Sequence, residues 1–575
     1  MQRWSRRRIV VSVCAGLLLV WLITVVFMLV SARRSMTAGS THLRHVRRQA
    51  SIAALVRPAS RADLVAAHAS FDDADAALSS PLLAPFKVVP VASRHLRAAQ
   101  RLVASAQGGT VAADAALRDL VALTKRPRRQ GPERIETLRL LAAVAGRTST
   151  ALDHLDPGSP DALVGPLGHA ITELDQQRTA ARQAADRLQQ TSLAVADVLQ
   201  GPTPYLLLGA NNAEMRNGSG MFLSASELSF DQGRLHLGEV RPTSTLVLPA
   251  GTVPATGDLK GNWPWLEPGR DLRNLGLTAD FPQSAALAVR TWKAVPGGGP
   301  VAGTIVLDVD GIRSLLRVVG PVSVDGVRYT PDTVRGELLR KQYTRFAGDR
   351  TARRDQLGAV AQAIFARLEA SQWKLEDLAT ELADAVQGRH LMVWSVDPKA
   401  ERAWHDVGAD GHLTSRSVSV GLLNRSAAKL DSWIDTDVDI ETGPADGGGR
   451  TITLSYDVTN TAPGTGPAYL VGPNVTGIAA GDDSALAVVN LPAGSTDVSM
   501  TGAQVFLQGG DGPTVVVGGR LLVPRGKTAH ITVTAQLPKG IDHITLEPSA
   551  RITAATWTIN GRSLHRDRRR SVAVS

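Results

Sequence analysis

A group of polar residues suited to anion binding follows the apolar segment 205–209. Glu214 and Arg216 come directly after this predicted strand, where α/β folds place binding groups. A guanidinium forms paired hydrogen bonds with a phosphate or carboxylate, and Gly218 and Gly220 would let backbone N–H groups approach the same anion. The pattern predicts an anion site, and a structural Glu–Arg pair that fixes a turn is the alternative.

Three arginines farther along the chain form a second candidate anion site. Arg350, Arg353 and Arg354 lie at the start of a predicted amphipathic helix. The first turn of a helix has free N–H groups and a positive partial charge, and both attract anions. The cluster is chemically suited to hold a pyrophosphate, and an exposed basic helix start is the alternative.

Asp280 is the candidate metal ligand. It shares a predicted loop with Asp271, Asn274 and Thr278, and oxygen-bearing side chains of this kind are the ligands that Mg²⁺ prefers. The same residue types close loop turns, which is the alternative. The 13 histidines show no spacing typical of a metal site, and no Ser/His/Asp set can be assigned. The catalytic residues, if the protein has any, stay unknown.

The N-terminus predicts a membrane anchor. Residues 9–31 contain no charged side chain, and as a helix these 23 residues extend about 34 Å, which crosses a bilayer core of about 30 Å. Four arginines precede the segment. We therefore expect a cytoplasmic tail at residues 1–8, a single transmembrane helix at 9–31 in the cell membrane, and a large extracytoplasmic C-terminal part. A cleaved signal sequence is the alternative.

The composition changes along the rest of the chain and predicts an α+β multidomain fold. Residues 40–200 are rich in good helix formers and predict a helical stalk or bundle. Residues 201–425 alternate predicted strands and helices, which is typical of an α/β domain with a mixed sheet. Residues 432–562 alternate apolar and polar positions between turn signals, which predicts a sandwich-like β domain. A disordered basic tail is expected at 563–575.

Charge and cysteine usage argue against a nucleic-acid-binding protein and against a body that depends on disulfides or a thiolate nucleophile. The net charge of +10 comes from the chain ends, because residues 1–48 contribute +9 and residues 561–575 contribute +4, which leaves −3 for the body. A nearly neutral body lacks the basic surface that nucleic-acid binding needs, so no nucleic-acid partner is expected. The only cysteine, Cys14, lies in the predicted span. The body therefore has no disulfide and no thiolate nucleophile.

Two motifs of the chain resemble a known family. The first combines a strand, the segment from Asn211 to Arg216, a glycine turn at residues 217–220 and a hairpin. The second is Asn-Leu-Gly-Leu-Thr-Ala-Asp-Phe-Pro at residues 274–282. Both are similar to elements of the bacterial envelope family known as domain of unknown function 4012, although Asn-Gly-Ser-Gly replaces its usual Pro-Thr-Gly-Gly turn. The family's layout also has a membrane span, a helical region and a β-rich C-terminus.

A fainter similarity concerns a possible activity. Residues 301–324, and the group formed by Arg350, Arg353, Arg354 and Gln356, resemble parts of LytR–CpsA–Psr domains. Those enzymes transfer glycopolymers from polyprenyl pyrophosphate to the cell wall, and an Arg-x-x-Arg-Gln element meets the pyrophosphate. In this chain one extra residue separates Arg354 from Gln356, and the acidic metal-binding motif of that family is not clearly present.

Two functions from different classes follow. The first is a binding or scaffold ectodomain in the cell envelope, with the lipid bilayer and a polyprenyl-linked glycan, a cell-wall polymer or an envelope protein as partners. The alternative is a phosphotransferase or binder acting on polyprenyl-pyrophosphate-linked glycopolymers in cell-wall assembly. In that case the arginines of both clusters would grip phosphates, and Asp280 would hold Mg²⁺, the only cofactor considered. The residues leave open whether the protein is an enzyme.

Overall fold

The computed structural model describes residues 2–47, 58–125, 131–346, 349–371, 373–444 and 449–574, without the side chains of residues 2–19, 47, 350–352, 354–355 and 375. The chain divides into two compact units. Unit 1 comprises Met1–Pro127 and Glu136–Leu193, and unit 2 comprises Arg128–Ile135 and Ala194–Ser575. The predicted segments 40–200, 201–425 and 432–562 are finer than these two units, and their boundaries stay a prediction.

Residues 2–200 are helical wherever they form regular structure in the described ranges. The helices are α1 (Gln2–Arg47), α2 (Pro58–Leu78), α3 (Pro90–Thr124), α4 (Pro132–Asp153) and α5 (Gly165–Gln200), with a 3₁₀ segment at Pro81–Lys87. A proline opens α2, α3 and α4, where its fixed φ suits the first turn and its missing N–H costs nothing. The core of unit 1 contains side chains from α1, α2, the 3₁₀ segment and α3, among them Ala32, Phe71, Leu83 and Val103.

The N-terminal helix confirms the coarse prediction of an apolar membrane-length segment near the N-terminus, and the side chains of residues 9–19 of the predicted span lie outside the described residues. Within the described residues, Val20–Val46 of α1 is long and apolar enough to cross a membrane, with a mean hydropathy of 1.4. A signal sequence passes the same test of length and composition. The helix is therefore compatible with an anchor, and its orientation stays a prediction.

The described strands of unit 2 number β1 to β20 in chain order. They are β1 (Tyr205–Met215), β2 (Gly220–Asp231), β3 (Arg234–Leu237), β4 (Arg241–Pro242), β5 (Gly303–Leu307), β6 (Val322–Val324), β7 (Val327–Tyr329), β8 (Leu391–Ser395), β9 (Ser417–Asn424), β10 (Ile434–Pro444), β11 (Arg450–Asn460), β12 (Asp483–Leu491), β13 (Thr496–Thr501), β14 (Gln504–Asp511), β15 (Thr514–Val523), β16 (Thr528–Leu537), β17 (His543–Glu547), β18 (Thr556–Ile559), β19 (Arg562–Leu564) and β20 (Arg570–Ala573).

The helices of unit 2 alternate with the first eight strands and then become rare. They are α6 (Gly257–Asn262), α7 (Phe281–Ala294), α8 (Val309–Val319), α9 (Val334–Gly336), α10 (Gln342–Arg345), α11 (Arg350–Ala370), α12 (Leu375–Gln387), α13 (Pro398–Asp406) and α14 (Ala468–Val471), with a π-helical turn at Glu337–Lys341. Aspartate side chains cap the N-termini of two of these helices. Asp308 accepts hydrogen bonds from the N–H groups of Asp310 and Gly311 at the start of α8, and Asp397 caps α13 in the same way.

A mixed sheet forms the first half of unit 2. Its strand order is β3-β2-β1-β5-β8, with β4 beside β2, and β1 pairs parallel to β5 while the other pairs are antiparallel. Alternate residues of β1 enter different cores, because Leu206 and Leu208 pack with α7 whereas Leu207 packs with α8 and α11. The predicted mixture of helices and sheets is confirmed.

Two further sheets of six strands occupy the C-terminal half. Their orders are β13-β16-β11-β10-β18-β19 and β14-β15-β12-β9-β17-β20. One hydrophobic cluster contains side chains from both sheets, including Val420 and Val489 of one and Val438 and Ile531 of the other. In β10 the apolar positions are buried and the intervening acidic positions are wholly or partly exposed, as period-two alternation requires.

The structure corrects the prediction of a disordered tail at residues 563–575. Strand β20 pairs antiparallel with β17 at one edge of a sheet. Two of the positive charges that suggested disorder have acidic partners, since Arg568 lies 2.9 Å from Asp384 and Arg569 lies 2.8 Å from Glu547. Acidic partners distant in sequence therefore hold this segment in the fold, and a local charge pattern cannot reveal them.

Candidate functional site

The C-terminal half of β1 connects several distant parts of unit 2. Asn211 Nδ2 donates a 2.7 Å hydrogen bond to the Tyr343 hydroxyl. Asn212 Nδ2 donates to Asp308 Oδ2 and to the Ala550 carbonyl, each at 2.7 Å. The strand extends to Met215, so the Asn-x-x-Glu-x-Arg motif lies within a buried strand and its end, rather than in a loop after it.

Glu214 forms a buried ion pair with Lys429. The Lys429 side chain is fully buried, and its amine contacts Glu214 Oε2. Burial lowers the pKa of Lys429, and the negative charge of Asp431 opposes this shift. The amine also lies 5.6 and 5.1 Å from the ring centroids of Tyr343 and Tyr469. Glu214 thus partners a lysine, and the described contacts contain no ion pair between Glu214 and Arg216, which was the alternative to an anion site.

Arg216 is a buried cation held by backbone carbonyls. Its guanidinium donates to the carbonyls of Arg273, Met215 and Asn424 at 3.2–3.4 Å. Across the described part of the chain, no carboxylate oxygen lies within ion-pair distance of it. Burial lowers its pKa to about 10, and repulsion from Arg425 adds to the shift. A bound anion would remove much of this desolvation cost.

The two glycines of the motif allow close packing of the chain. The Gly218 N–H donates to the Gly276 carbonyl at 3.0 Å, so it is already engaged within the protein. A Cβ at Gly218 would lie 2.2 Å from the Thr278 carbonyl oxygen, and one at Gly220 would lie 2.6 Å from the Asn211 backbone. In the described structure neither glycine lines the cavity formed next to Arg216.

We expect Gly218→Ala to lower the free energy of unfolding by about 1–3 kcal/mol, because the added methyl group overpacks a site closed by backbone. The melting temperature of the variant measures this. Gly336→Ala is the matched control, since a Cβ there meets open space and the position is helical. Equal melting temperatures for the two variants would show that the Gly218 turn can relax.

A cavity of about 480 Å³ lies beside Arg216. It brings Glu214, Arg216 and Arg353, three of the predicted site residues, into one lining. Its lining carries four positive charges and one negative charge, with both polar and apolar walls. The full lining is Glu214, Arg216, Met221, Leu223, Pro242, Thr243, Ser244, Arg273, Tyr343, Arg353, Leu357, Asn424, Arg425, Ala427, Tyr469 and Val475.

Arg353 is held by aromatic rings. Its guanidinium carbon lies 5.2 Å from the ring centroid of Tyr343 and 4.6 Å from that of Tyr469, and the residue is buried. Such contacts hold a cation without neutralising its charge. Helix α11 contains Arg350 and Arg354 as predicted, but their side chains lie outside the described residues. The structure therefore brings one arginine of the second predicted cluster to the cavity.

Two arginines that the sequence did not single out complete the lining. Arg273 forms a 2.6 Å ion pair with Asp271, whose carboxylate raises the pKa of Arg273. Arg425 stacks over Trp265 at 5.0 Å, and partial burial together with repulsion from Arg520 lowers its pKa. The cavity is thus a site where several guanidinium groups converge, as recognition of phosphate or carboxylate requires.

Asp280 lies outside the arginine cavity. Its carboxylate accepts the Leu413 N–H at 2.9 Å and Gln283 Nε2 at 3.2 Å. Gln283 also donates to Asp511 at 3.3 Å, so the two acids share one donor. Burial raises the pKa of both, and that of Asp511 reaches about 6. The structure therefore brings Asp280 together with another carboxylate and does not place it beside Arg216 or Arg353.

A His–Asp–His cluster was missed by the sequence reasoning. The Nδ1 atoms of His405 and His412 lie 3.0 and 2.5 Å from the two carboxylate oxygens of Asp410, and the rings stack at 3.7 Å. One potential ligand atom from each residue lies within 4.8 Å of the others, which is compatible with a divalent cation. The His-x₄-Asp-x-His spacing was the available signal. The same contacts also form a closed hydrogen-bond network.

Comparisons with known proteins agree with the β1 motif. Neither the curated proteins nor the solved structures give a match to the chain. The similarity of residues 301–324 to LytR–CpsA–Psr domains stays a prediction. Residues 200–343 match the sequence model of the family described as a protein of unknown function (DUF4012), which confirms the resemblance inferred from the motifs at residues 205–234 and 274–282.

Proposed function

We propose that this chain is a membrane-anchored, extracytoplasmic binding protein of the cell envelope whose unit 2 holds a phosphate-bearing ligand in the arginine cavity. The observation that carries the proposal is Arg216, a buried guanidinium whose hydrogen-bond acceptors among the described residues are carbonyl oxygens. No described carboxylate is in ion-pair contact with it, and the charges of Asp431 and Asp271 act on it only from a longer distance. Burying such a charge is costly unless it gains an opposite charge. A bound anion would supply it.

The chemistry of the lining favours a phosphate or diphosphate over a single carboxylate. Arg216, Arg353 and Arg425 each have no ion-pair partner among the described residues, so several donors remain for one ligand. A phosphate has more acceptor oxygens and more charge than a carboxylate, and guanidinium groups recognise it in a fixed geometry. Leu223, Leu357 and the two tyrosines would contact a less polar part of the same ligand.

The narrower form of the proposal names the ligand class. A polyprenyl-pyrophosphate-linked glycan combines a diphosphate with an apolar chain and a sugar, which matches the mixed lining of the cavity. This choice rests on the resemblance to LytR–CpsA–Psr domains predicted from the sequence of residues 301–324 and of the Arg353 segment, and this resemblance stays a prediction. The proposed C-terminal sandwich-like module would give the cavity a rigid wall, because Arg425 directly follows strand β9.

We prefer a binding function to phosphoryl transfer because Glu214 is already paired with Lys429 and is not free to act as a general base. It is the only carboxylate in the cavity lining formed by described residues, and its ion pair with Lys429 engages it. A general base must be free to accept a proton from the attacking group. The alternative, a phosphotransferase, would require Glu214 to leave Lys429 when the ligand binds.

Calorimetric titration of the detergent-solubilised full chain with inorganic pyrophosphate tests the proposal. We expect saturable binding that weakens with added salt, because salt screens the free anion and the exposed Arg425, although it screens the buried arginines less. Arg353→Met and Arg425→Met should each weaken binding by about 10- to 100-fold, since a hydrogen bond to a charged group contributes roughly 1.5–3 kcal/mol. Neither guanidinium has an ion-pair partner among the described residues, so the fold should tolerate both changes.

Arg402→Met is the matched control, because Arg402 is exposed on α13 and does not line the cavity. It should bind pyrophosphate like the unmodified protein. Equal losses in the Arg402 and Arg353 variants would indicate non-specific charge attraction and would contradict the proposal. The orientation is tested separately, since protease added outside intact cells should cleave unit 2.

A further inference from the structure

A second cavity lies within the helices of unit 1. It has a volume of about 760 Å³, and most of its lining is aliphatic or aromatic. Its walls come from α1, α2, the 3₁₀ segment, α3 and the start of α5, with Leu29, Phe71, Leu83, Leu96 and Leu174 as examples. A cavity of this size fits an organic ligand, and water in it would find few hydrogen-bond partners.

One wall of this cavity continues the membrane-length segment. Leu29, Ala32, Met36 and Leu43 of α1 line it, and all four belong to Val20–Val46. If α1 crosses the bilayer as proposed above, the cavity extends across the level at which the helix leaves the hydrocarbon region, because its lining on α1 runs from Leu29 to Arg44. Arg33 and Arg44 are exposed and also contribute to the lining. The charge of Arg33 suits the phosphate groups of lipids at that level, whereas Arg44 lies about 16 Å farther along the helix.

The 3₁₀ segment Pro81–Lys87 is fixed to the same helix beside Trp21. Trp21 Nε1 donates to the Leu82 carbonyl at 3.1 Å, and the Trp21 ring stacks on Phe86 at 5.5 Å. Phe86 and Leu83 also line the cavity. The segment therefore connects the cavity wall to a residue well inside the apolar part of α1.

The outer side of this region exposes apolar side chains. The exposed fraction is 42 % for Leu82, 83 % for Val88 and 67 % for Val91. Such a group is costly in water and stable in a lipid interface. Because the region is attached at Trp21, these side chains lie where a bilayer around α1 would meet them.

We propose that the unit 1 cavity binds one hydrocarbon chain of a membrane lipid, which enters from the bilayer beside Pro81–Lys87. The proposal rests on the membrane anchoring proposed for α1. Its occupant is identified by three features of unit 1, namely the apolar lining, the continuity of that lining with the membrane-length helix, and the exposed valines next to its wall. Lipid headgroup phosphates would remain at Arg33.

The experiment uses the full chain in nanodiscs of phosphatidylethanolamine and phosphatidylglycerol that contain a phospholipid with a diazirine at the end of one acyl chain. After illumination, mass spectrometry of peptides locates the attached lipid. We expect labels on inward residues such as Leu96, Val103 and Leu174. Ala99→Trp, which fills the cavity, should reduce these labels about tenfold, a change equivalent to roughly 1.4 kcal/mol of binding.

Ala115→Trp is the matched control, because Ala115 is exposed on the same helix α3 and does not line the cavity. It should leave the labelling unchanged. Labels confined to the span and to the exposed valines of the unmodified protein would overturn the cavity proposal while supporting the anchor. A folded protein that fails to enter nanodiscs would instead overturn the anchor on which the proposal rests.

Discussion

Replacing Lys429 with methionine is expected to lower the free energy of unfolding of unit 2 by about 3–5 kcal/mol, because it leaves the buried Glu214 carboxylate without its counter-charge. Methionine keeps most of the side-chain volume, so the lost charge rather than a new void accounts for the effect. Urea unfolding followed by tryptophan fluorescence measures it. Eight of the ten tryptophans belong to unit 2, which makes the signal specific.

The double variant Glu214→Met with Lys429→Met separates the ion pair from the packing. Replacing both charges by apolar groups of similar size is often nearly neutral, so the double variant should recover most of the lost stability. A double variant as unstable as Lys429→Met alone would show that Lys429 acts mainly through its contacts with the tyrosine rings. The single variant Glu214→Met completes the double-mutant cycle.

The stability of unit 2 is expected to fall by up to about 3 kcal/mol as the pH rises from about 4 to about 7, because of Asp511. Burial raises the pKa of Asp511 from 3.8 to about 6. The folded state therefore binds more protons than the unfolded state in this range, and stability decreases with pH until Asp511 is ionised. A shift of about two pKa units corresponds to roughly 3 kcal/mol.

The free energy of unfolding of Asp511→Asn, measured across this pH range, checks the expectation. The variant should lose the part of the decrease with pH that comes from Asp511. Asp439→Asn is the control, since Asp439 is exposed on β10 and should keep the slope. An unchanged slope in Asp511→Asn would contradict the assignment.

Added Mg²⁺ is expected to leave the melting temperature at pH 8 unchanged, because the Asp280 carboxylate already accepts hydrogen bonds from Leu413 and Gln283. A rise in the melting temperature that Asp280→Asn abolishes would support Asp280 as a metal ligand.

The sequence predicted the elements around β1 well, because their signals are local. Apolar runs of strand length and turn residues mark β1, β5 and β8, and a regular helical period marks α11 and α12. The end of β1 was placed too early, at Gly209. The polar residues that follow look like a loop, but Asn211 and Asn212 find buried partners that local sequence does not show.

The candidate site could be predicted only in part, since its residues come from separate segments. Arg216 and Arg353 were found because each belongs to a local polar motif. Arg273 and Arg425 reach the same cavity through the packing of the 3₁₀ turn Leu272–Asn274 and the end of β9, which no local pattern encodes. The basic tail was misjudged for the same reason, because its acidic partners Asp384 and Glu547 precede it in other elements.

The hydrogen bond from Asn212 to the Ala550 carbonyl limits when unit 2 can complete its folding during synthesis. The two residues are 338 positions apart. At about 5–20 residues per second, a ribosome adds Ala550 roughly 20–70 s after Asn212. The central strand of the mixed sheet must therefore wait for most of its polar partners while the chain is still growing. Unit 2 should complete its folding only after nearly full synthesis, and a chain that ends before Ala550 should remain a target for chaperones and proteases.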